Sequence, residues 1–291
     1  MKNDQKLFGR RTVLRGFTAV GVAALTGCAA DGRTSAPPSA LPSAGASASA
    51  SAAPAAGPPA ARALAPSAYR LRPIAGYGPQ RAAPPKLRAR HKPILSMDFE
   101  HGDRAMVLTF DDGPDPRYTP HILRILRKHD VRAMFFVCGE MAVDNKDLLR
   151  EMADDGHLIG NHTWTHPQLN RMTRSQMRPE IERTCEVIDD AVGEPPAWFR
   201  APYGAWNGAA FRLGADLGME PLAWTVDSLD WTTPGTGTIV SRVLDGAAPG
   251  VVVLNHDAGG NRAQSVAGLR AYLPRLLDDG YRITIPRRRG I

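Results

Sequence analysis

Between residues 104 and 286 short apolar runs alternate with stretches of helical period, and most of the runs end on a polar residue with chemistry to offer. Strand-like runs fall at 106–110, 133–137, 158–160, 198–199, 220–226, 250–255 and 281–285. Helical patterns fall at 119–129, 146–154, 208–217, 238–245 and 265–279. A longer helix runs from a Thr173 cap to Val192, where Gly193 and the pair Pro195 and Pro196 stop it. Strands that are apolar almost throughout must be covered on both faces, so the sheet is expected to be parallel with helices packed over it. The fold class that follows is α/β, a distorted or incomplete (β/α) barrel of about seven parallel strands in one domain over 97–291.

Composition sets the N-terminal third apart. Residues 29–66 are dominated by Ala, Ser, Pro and Gly, with too little apolar surface for a core, and read as a disordered tether. Residues 67–96, rich in Pro and Arg, read as an irregular lead-in arm. The net charge of +7 arises in this region. Residues 1–91 hold 13 basic and 2 acidic side chains, whereas the remainder holds 23 and 27. A nucleic-acid binder carries its positive footprint on the folded surface, so a mildly acidic folded part excludes that class of partner.

The first 28 residues read as an export signal. Arg10 and Arg11 precede an apolar stretch at 17–25 that is too short to span a bilayer. The arginine pair resembles a twin-arginine signal. Residues 25–28 (LTGC) resemble a bacterial lipobox, which makes Cys28 the expected site of lipidation. One lipid chain and the tether would place a monomeric domain at the outer face of the cytoplasmic membrane, or leave it secreted. Cys138 and Cys185 are expected as buried small residues rather than a disulfide.

His162 and His166 stand four apart, a spacing that puts two imidazoles on one face of a helical turn. Asp111 and Asp112 stand together on a Gly113-Pro114 turn after the first apolar run. Two adjacent carboxylates repel, and a cation relieves that repulsion. Two histidines and one of these carboxylates would hold one divalent ion with a position left open for water. Zinc suits such donors first, with cobalt or another transition metal as alternatives. Arg200, Asp227, Asp230 and His256 also follow apolar runs, and in parallel barrels the strand C-termini build the active site.

Residues 109–114 (TFDDGP), 162–166 (HTWTH), 200–203 (RAPY), 227–231 (DSLDW) and 254–257 (LNHD) resemble, in order, the five motifs of the polysaccharide deacetylases with a NodB-homology domain. The resemblance covers about 104–286. It implies metal ligation by Asp112, His162 and His166, with Asp111 as general base oriented by Arg200. It also implies His256 as general acid paired with Asp230, the Tyr203 amide as oxyanion donor, and Trp231 and Leu254 lining an acetyl pocket. Ala201 stands where the family often has a second proline. The resemblance makes the expected activity the removal of acetyl groups from N-acetylated sugars of a polysaccharide, peptidoglycan or a chitin-like glycan. An O-acetyl xylan esterase and a non-catalytic glycan-binding lipoprotein are the alternatives.

Overall fold

The computed structural model describes residues 84–99 and 103–286; the expected export signal, Cys28 and the tether lie outside them. Along the described chain the order is β1 (Ala105–Asp111), α1 (Thr119–Lys128), β2 (Met134–Val137), α2 (Gly139–Asp144), α3 (Lys146–Asp154) and β3 (Leu158–Asn161). There follow α4 (Arg174–Val192), β4 (Trp198–Phe199), α5 (Gly208–Asp216), β5 (Glu220–Pro221) and β6 (Val226–Asp227). The series ends with α6 (Thr236–Asp245), β7 (Val252–His256), α7 (Ala263–Asp278) and β8 (Arg282–Ile283). The strands form a parallel sheet in the order β5-β4-β3-β2-β1-β7-β6, with β8 on the start of β1. This is a curled half-barrel, the incomplete barrel expected from the alternation.

Side-chain alternation sorts each strand between two cores. Met106, Leu108 and Phe110 of β1, Phe135 and Val137 of β2, and Val253 of β7 pack outward under the helices. Val107, Met134, Phe136 and Val252 pack inward with Trp198 and Leu222. Thr109 and Asp111 belong to the inward set of β1 by the same period, which aims them into the barrel. On the outside, α1 buries Ile122, Leu123, Ile125 and Leu126 on one stripe. Thr173 caps α4 in a reciprocal capping box with Gln176, and Gly193 ends it at φ 88°.

The pattern of strands and helices differs from the expectation at 220–226 and at 139–144. The run at 220–226 divides into β5 and β6, which pair β4 and β7 at opposite edges of the sheet. Residues 222–225 carry the chain across the seam between them. There the carbonyls of Leu222 and Ala223 face the Arg200 guanidinium, which takes them out of the strand ladder. Ile94 fills the seam, donating to the Pro221 carbonyl and accepting from the Ala223 amide, both at 2.8 Å. The second difference is α2, whose six residues carry too little apolar period to announce a helix.

Candidate active site

The inward and C-terminal residues of the strands converge on a cleft of about 580 Å³. Asp111 ends β1, His256 ends β7, and the two stand opposite each other in the strand register. Arg200 follows β4 and is fully buried. Its Nη1 donates to Asp111 Oδ1 and to Thr109 Oγ1, each at 2.7 Å. Nε and Nη2 donate to the carbonyls of Leu222 and Ala223, at 3.1 and 2.9 Å. The guanidinium also lies 4.1 Å above the Phe136 ring. A planar fork with five donors is the group that such a divided set of acceptors requires.

Burial raises the pKa of Asp111, against the opposing charges of Arg200 and His256 and the Arg200 hydrogen bond. The carboxylate is thereby made more basic than a solvated one while staying paired. Burial of the guanidinium in turn lowers the pKa of Arg200, with Asp111 opposing.

Asp112, His162 and His166 form a possible metal-binding triad, with one ligand atom from each within 4.8 Å of the others. Asp112 Oδ1 lies 3.6 Å from His162 Nε2 and 3.3 Å from His166 Nε2. Atoms bound to one cation at ~2.0–2.2 Å in a tetrahedral arrangement stand at such spacings. Asp112 Oδ1 is buried without a hydrogen-bond partner, a costly arrangement for a carboxylate unless a cation completes it. The Nδ1 of His162 donates to the Arg200 carbonyl at 2.8 Å, which leaves Nε2 as the lone-pair nitrogen facing Asp112. Burial lowers the pKa of His162 to about 3, against the pull of Asp112, so the ring is the neutral ligand form. The residues present therefore fit a divalent ion.

The two histidines do not share a helical turn. Residues 162–166 form an irregular loop after β3, with Thr163 at φ 70° and His166 at φ 58°. Their convergence comes from left-handed backbone rather than from a period of 3.6. Asp112 stands at φ 77°, on a turn whose Gly113-Pro114 peptide is cis. Gly259, at φ 73°, packs on that turn, and a Cβ there would stand 2.5 Å from Asp112 Oδ2.

On the other wall, His256 Nδ1 and Asp230 Oδ1 are 2.7 Å apart, and the His256 amide donates to Asp230 Oδ2 at 2.9 Å. Burial alone would lower the pKa of His256. The hydrogen bond and charge of Asp230 outweigh it, with Asp112 and Asp111 adding, and raise the value to about 9. Burial would raise the pKa of Asp230, and the bonds and charge of His256 hold it below the usual range.

Tyr203, at φ 59° in the turn Pro202–Gly204, sets its ring edge-on to His166. It and Trp231 are exposed at the cleft, whereas Leu254 is buried in its wall. Asp227 lines the cleft and accepts from the Leu229 amide; burial raises its pKa, with that hydrogen bond opposing. Asp257 stands beneath the Asp112 turn with Thr119 Oγ1 donating to it at 2.5 Å. Burial raises its pKa to about 7, the Thr119 bond opposing and the charges of Asp112 and Asp111 adding.

Glu140, Met141, Trp224, Gly259 and Arg262 also line the cleft, and the sequence alone did not point to them as site residues. Trp224 packs against the inner core and faces the cleft. Cys138 and Cys185 are free thiols, the first buried and the second half-buried. His157 is buried, and His121 and His91 are exposed.

A family model described as Polysaccharide deacetylase matches residues 99–222. A chitooligosaccharide deacetylase of Rhizobium leguminosarum bv. trifolii is 39% identical over 190 residues, covering 62% of this chain and 88% of its own. Among solved structures, the peptidoglycan N-acetylglucosamine deacetylase Bc1960 superposes with a TM-score of 0.62 at 34% identity, over 65% of this chain and 88% of its own. Bacillus anthracis BA3943, described as a CE4 family pseudoenzyme, superposes with a TM-score of 0.61 at 28% identity, over 66% of each chain. The chain belongs to the polysaccharide deacetylase family.

Proposed function

We propose that the chain removes acetyl groups from N-acetylglucosamine residues of a polysaccharide, peptidoglycan first and a chitin-like glycan second. The observation that carries this reading is the pairing of Asp111 with His256 across the β1–β7 register, beside the Asp112, His162 and His166 triad. A binding protein has no use for a buried base, an ion site and an acid side by side. The deacetylase activities for which the Rhizobium and Bc1960 relatives are named support the choice of substrate.

A divalent ion held by Asp112, His162 and His166, zinc in the first instance, would polarise the acetyl carbonyl and make water more acidic. Asp111 takes the proton of the attacking water, and Arg200 keeps its Oδ1 fixed while the other oxygen works. The Tyr203 backbone amide supplies a donor to the developing oxyanion. Trp231 and Leu254 enclose the acetyl methyl group. His256 gives its proton to the departing amine nitrogen, which leaves poorly without one. Asp230 holds the imidazole in place and stabilises its charged form.

In this reading the chain is exported and acts at the outer face of the cytoplasmic membrane, held by a lipid on Cys28, or is secreted. Arg10 and Arg11, the apolar stretch at 17–25 and the lipobox-like residues 25–28 support that location. It places a monomeric catalytic domain near peptidoglycan.

The test is acetate release from peptidoglycan, chitooligosaccharides and acetylxylan, with metal removed and restored, for the wild type and Asp111→Asn. The expected result is metal-dependent release from the first two substrates, reduced by ~10²–10⁴-fold in Asp111→Asn. Release from acetylxylan alone would make the chain an esterase. No metal-dependent release from any substrate would leave a glycan-binding protein.

A further inference from the structure

The loop that carries His162 and His166 has neither helix nor sheet to satisfy its backbone, and its hydrogen bonds can be followed one by one. The Thr163 amide donates to Asn161 Oδ1 at 2.8 Å. The Thr163 and Trp164 carbonyls accept from the amides of Gly139 and Glu140, at 2.9 and 3.2 Å, at the start of α2. The other two amides between the histidines, those of Trp164 and Thr165, donate to a single oxygen, Glu180 Oε2 on α4, at 2.9 and 2.7 Å. Glu180 Oε1 accepts from Thr165 Oγ1 at 2.9 Å. One half-buried carboxylate thus spans the stretch between the two histidines with three charge-assisted bonds.

From this we propose that Glu180 is the positioning residue of the metal triad, setting the spacing of His162 and His166 without touching the ion. The argument is one of strain and compensation. Thr163 and His166 both sit in the left-handed region, which is unfavourable for a non-glycine residue and persists only where the surroundings over-determine it. His162 is fixed independently, by its Nδ1 bond to the Arg200 carbonyl and its amide bond to Val137. Among the described residues the ring nitrogens of His166 have no such anchor other than Asp112, and the ring packs edge-on to Tyr203. Its direction therefore depends on the peptide units before it, and those units are held by Glu180. Arg183, one turn further along α4, lies 3.8 Å over the Trp164 ring and presses the same loop onto the helix.

The inference rests on the reading of Asp112, His162 and His166 as a metal site, and the test separates the two. Zinc affinity of the full chain is measured by competition with a chelating indicator, for the wild type, Glu180→Ala, Glu180→Asp and Glu180→Gln. Unfolding of the metal-free proteins is followed in parallel. Glutamine keeps one carbonyl oxygen for the two amides and an amide group to face the Thr165 hydroxyl, whereas aspartate withdraws the acceptor by a methylene. Zinc affinity is expected to fall ~10–100-fold in Glu180→Ala and in Glu180→Asp, the range typical of groups that orient metal ligands. Glu180→Gln should stay within a few-fold of wild type. The cobalt-loaded protein should show an altered visible spectrum in the two weakened variants. Equal affinity in wild type and Glu180→Ala would overturn the proposal, and so would a loss in Glu180→Gln as large as in Glu180→Ala. If Glu180→Ala does not fold, Glu180→Asp decides by the same criterion. A wild-type protein that binds no zinc or cobalt would overturn the metal site itself.

Discussion

Asp111 and His256 occupy facing positions of two adjacent parallel strands, yet each is tied to a different partner. Arg200 holds the first from within the barrel, and Asp230 holds the second from the turn that follows β6. The two partners push the two groups in opposite senses. Asp111 is left short of full compensation and more basic than a free carboxylate, whereas His256 is held in its protonated form. A base and an acid are thereby set side by side without neutralising each other.

Asp230→Asn is expected to move the alkaline limb of the pH profile to lower pH. Asp230 is what lifts the pKa of His256 to about 9, and without its charge the burial of His256 pulls the value back toward 6.5 or below. The acid form is present below the pKa and lost above it, so activity should fall earlier as pH rises. A nearby bound cation pulls both proteins the same way, and the difference between them remains. Profiles of kcat/KM for chitooligosaccharide deacetylation between pH 5 and about 10 check this. Unshifted limbs would remove Asp230 from the role.

His256→Ala should harm amide substrates more than esters. An amine needs a proton to leave and an alkoxide needs it less, so loss of the acid should cost ~10²–10⁴-fold on an N-acetyl substrate and clearly less on an activated acetate ester. Equal losses on both would point to a structural part for His256.

Arg200→Met would leave Asp111 buried with its nearest cation removed. Breaking a buried pair costs about 3–5 kcal/mol. The pKa of Asp111 is already raised by burial and should rise further, so the ionised form is the disfavoured one. The added destabilisation should therefore be greatest at high pH and shrink as pH falls and Asp111 takes up a proton. Denaturant unfolding of the metal-free variant across pH 4–8 measures it. A loss that does not vary with pH would mean that packing, rather than charge, accounts for it.

His157 predicts a separate loss of stability in acid. Its Nδ1 accepts from the Ala133 amide at 3.1 Å, and burial lowers its pKa to about 4. Between the unfolded value of 6.5 and about 4, the unfolded chain takes up a proton that the folded chain refuses. Stability due to the neutral ring is present above 6.5 and declines as pH falls through that window. His157→Gln should flatten the decline when unfolding is compared at pH 7 and about 4.5.

Much of this arrangement was legible in the residues themselves. The strands that end on Asp111, Asn161, Phe199 and His256 follow from apolar runs, and the capping box at Thr173 follows from local chemistry. The misjudged features depend on contacts between distant segments. The division at 222–225 is set by Arg200 and Ile94, neither of which is a neighbour in sequence. The loop between His162 and His166 has a spacing that a helix would also give, and only Glu180, Gly139 and Glu140 decide against one. Glu180 lies inside an amphipathic helix where a half-exposed acid carries no mark of its task.

Asp112, Thr163, His166 and Tyr203 all hold left-handed backbone angles; three of them line the cleft, and Thr163 lies in the loop between the two histidines. Glycine would hold such an angle without penalty, whereas a side chain in this region costs on the order of 1–2 kcal/mol. Asp112→Gly should accordingly unfold at a higher temperature than Asp112→Ala, although both have lost the ligand. Thermal tolerance and reactivity are thus opposed at these positions, and selection for heat resistance alone would drift toward a sturdier, silent protein.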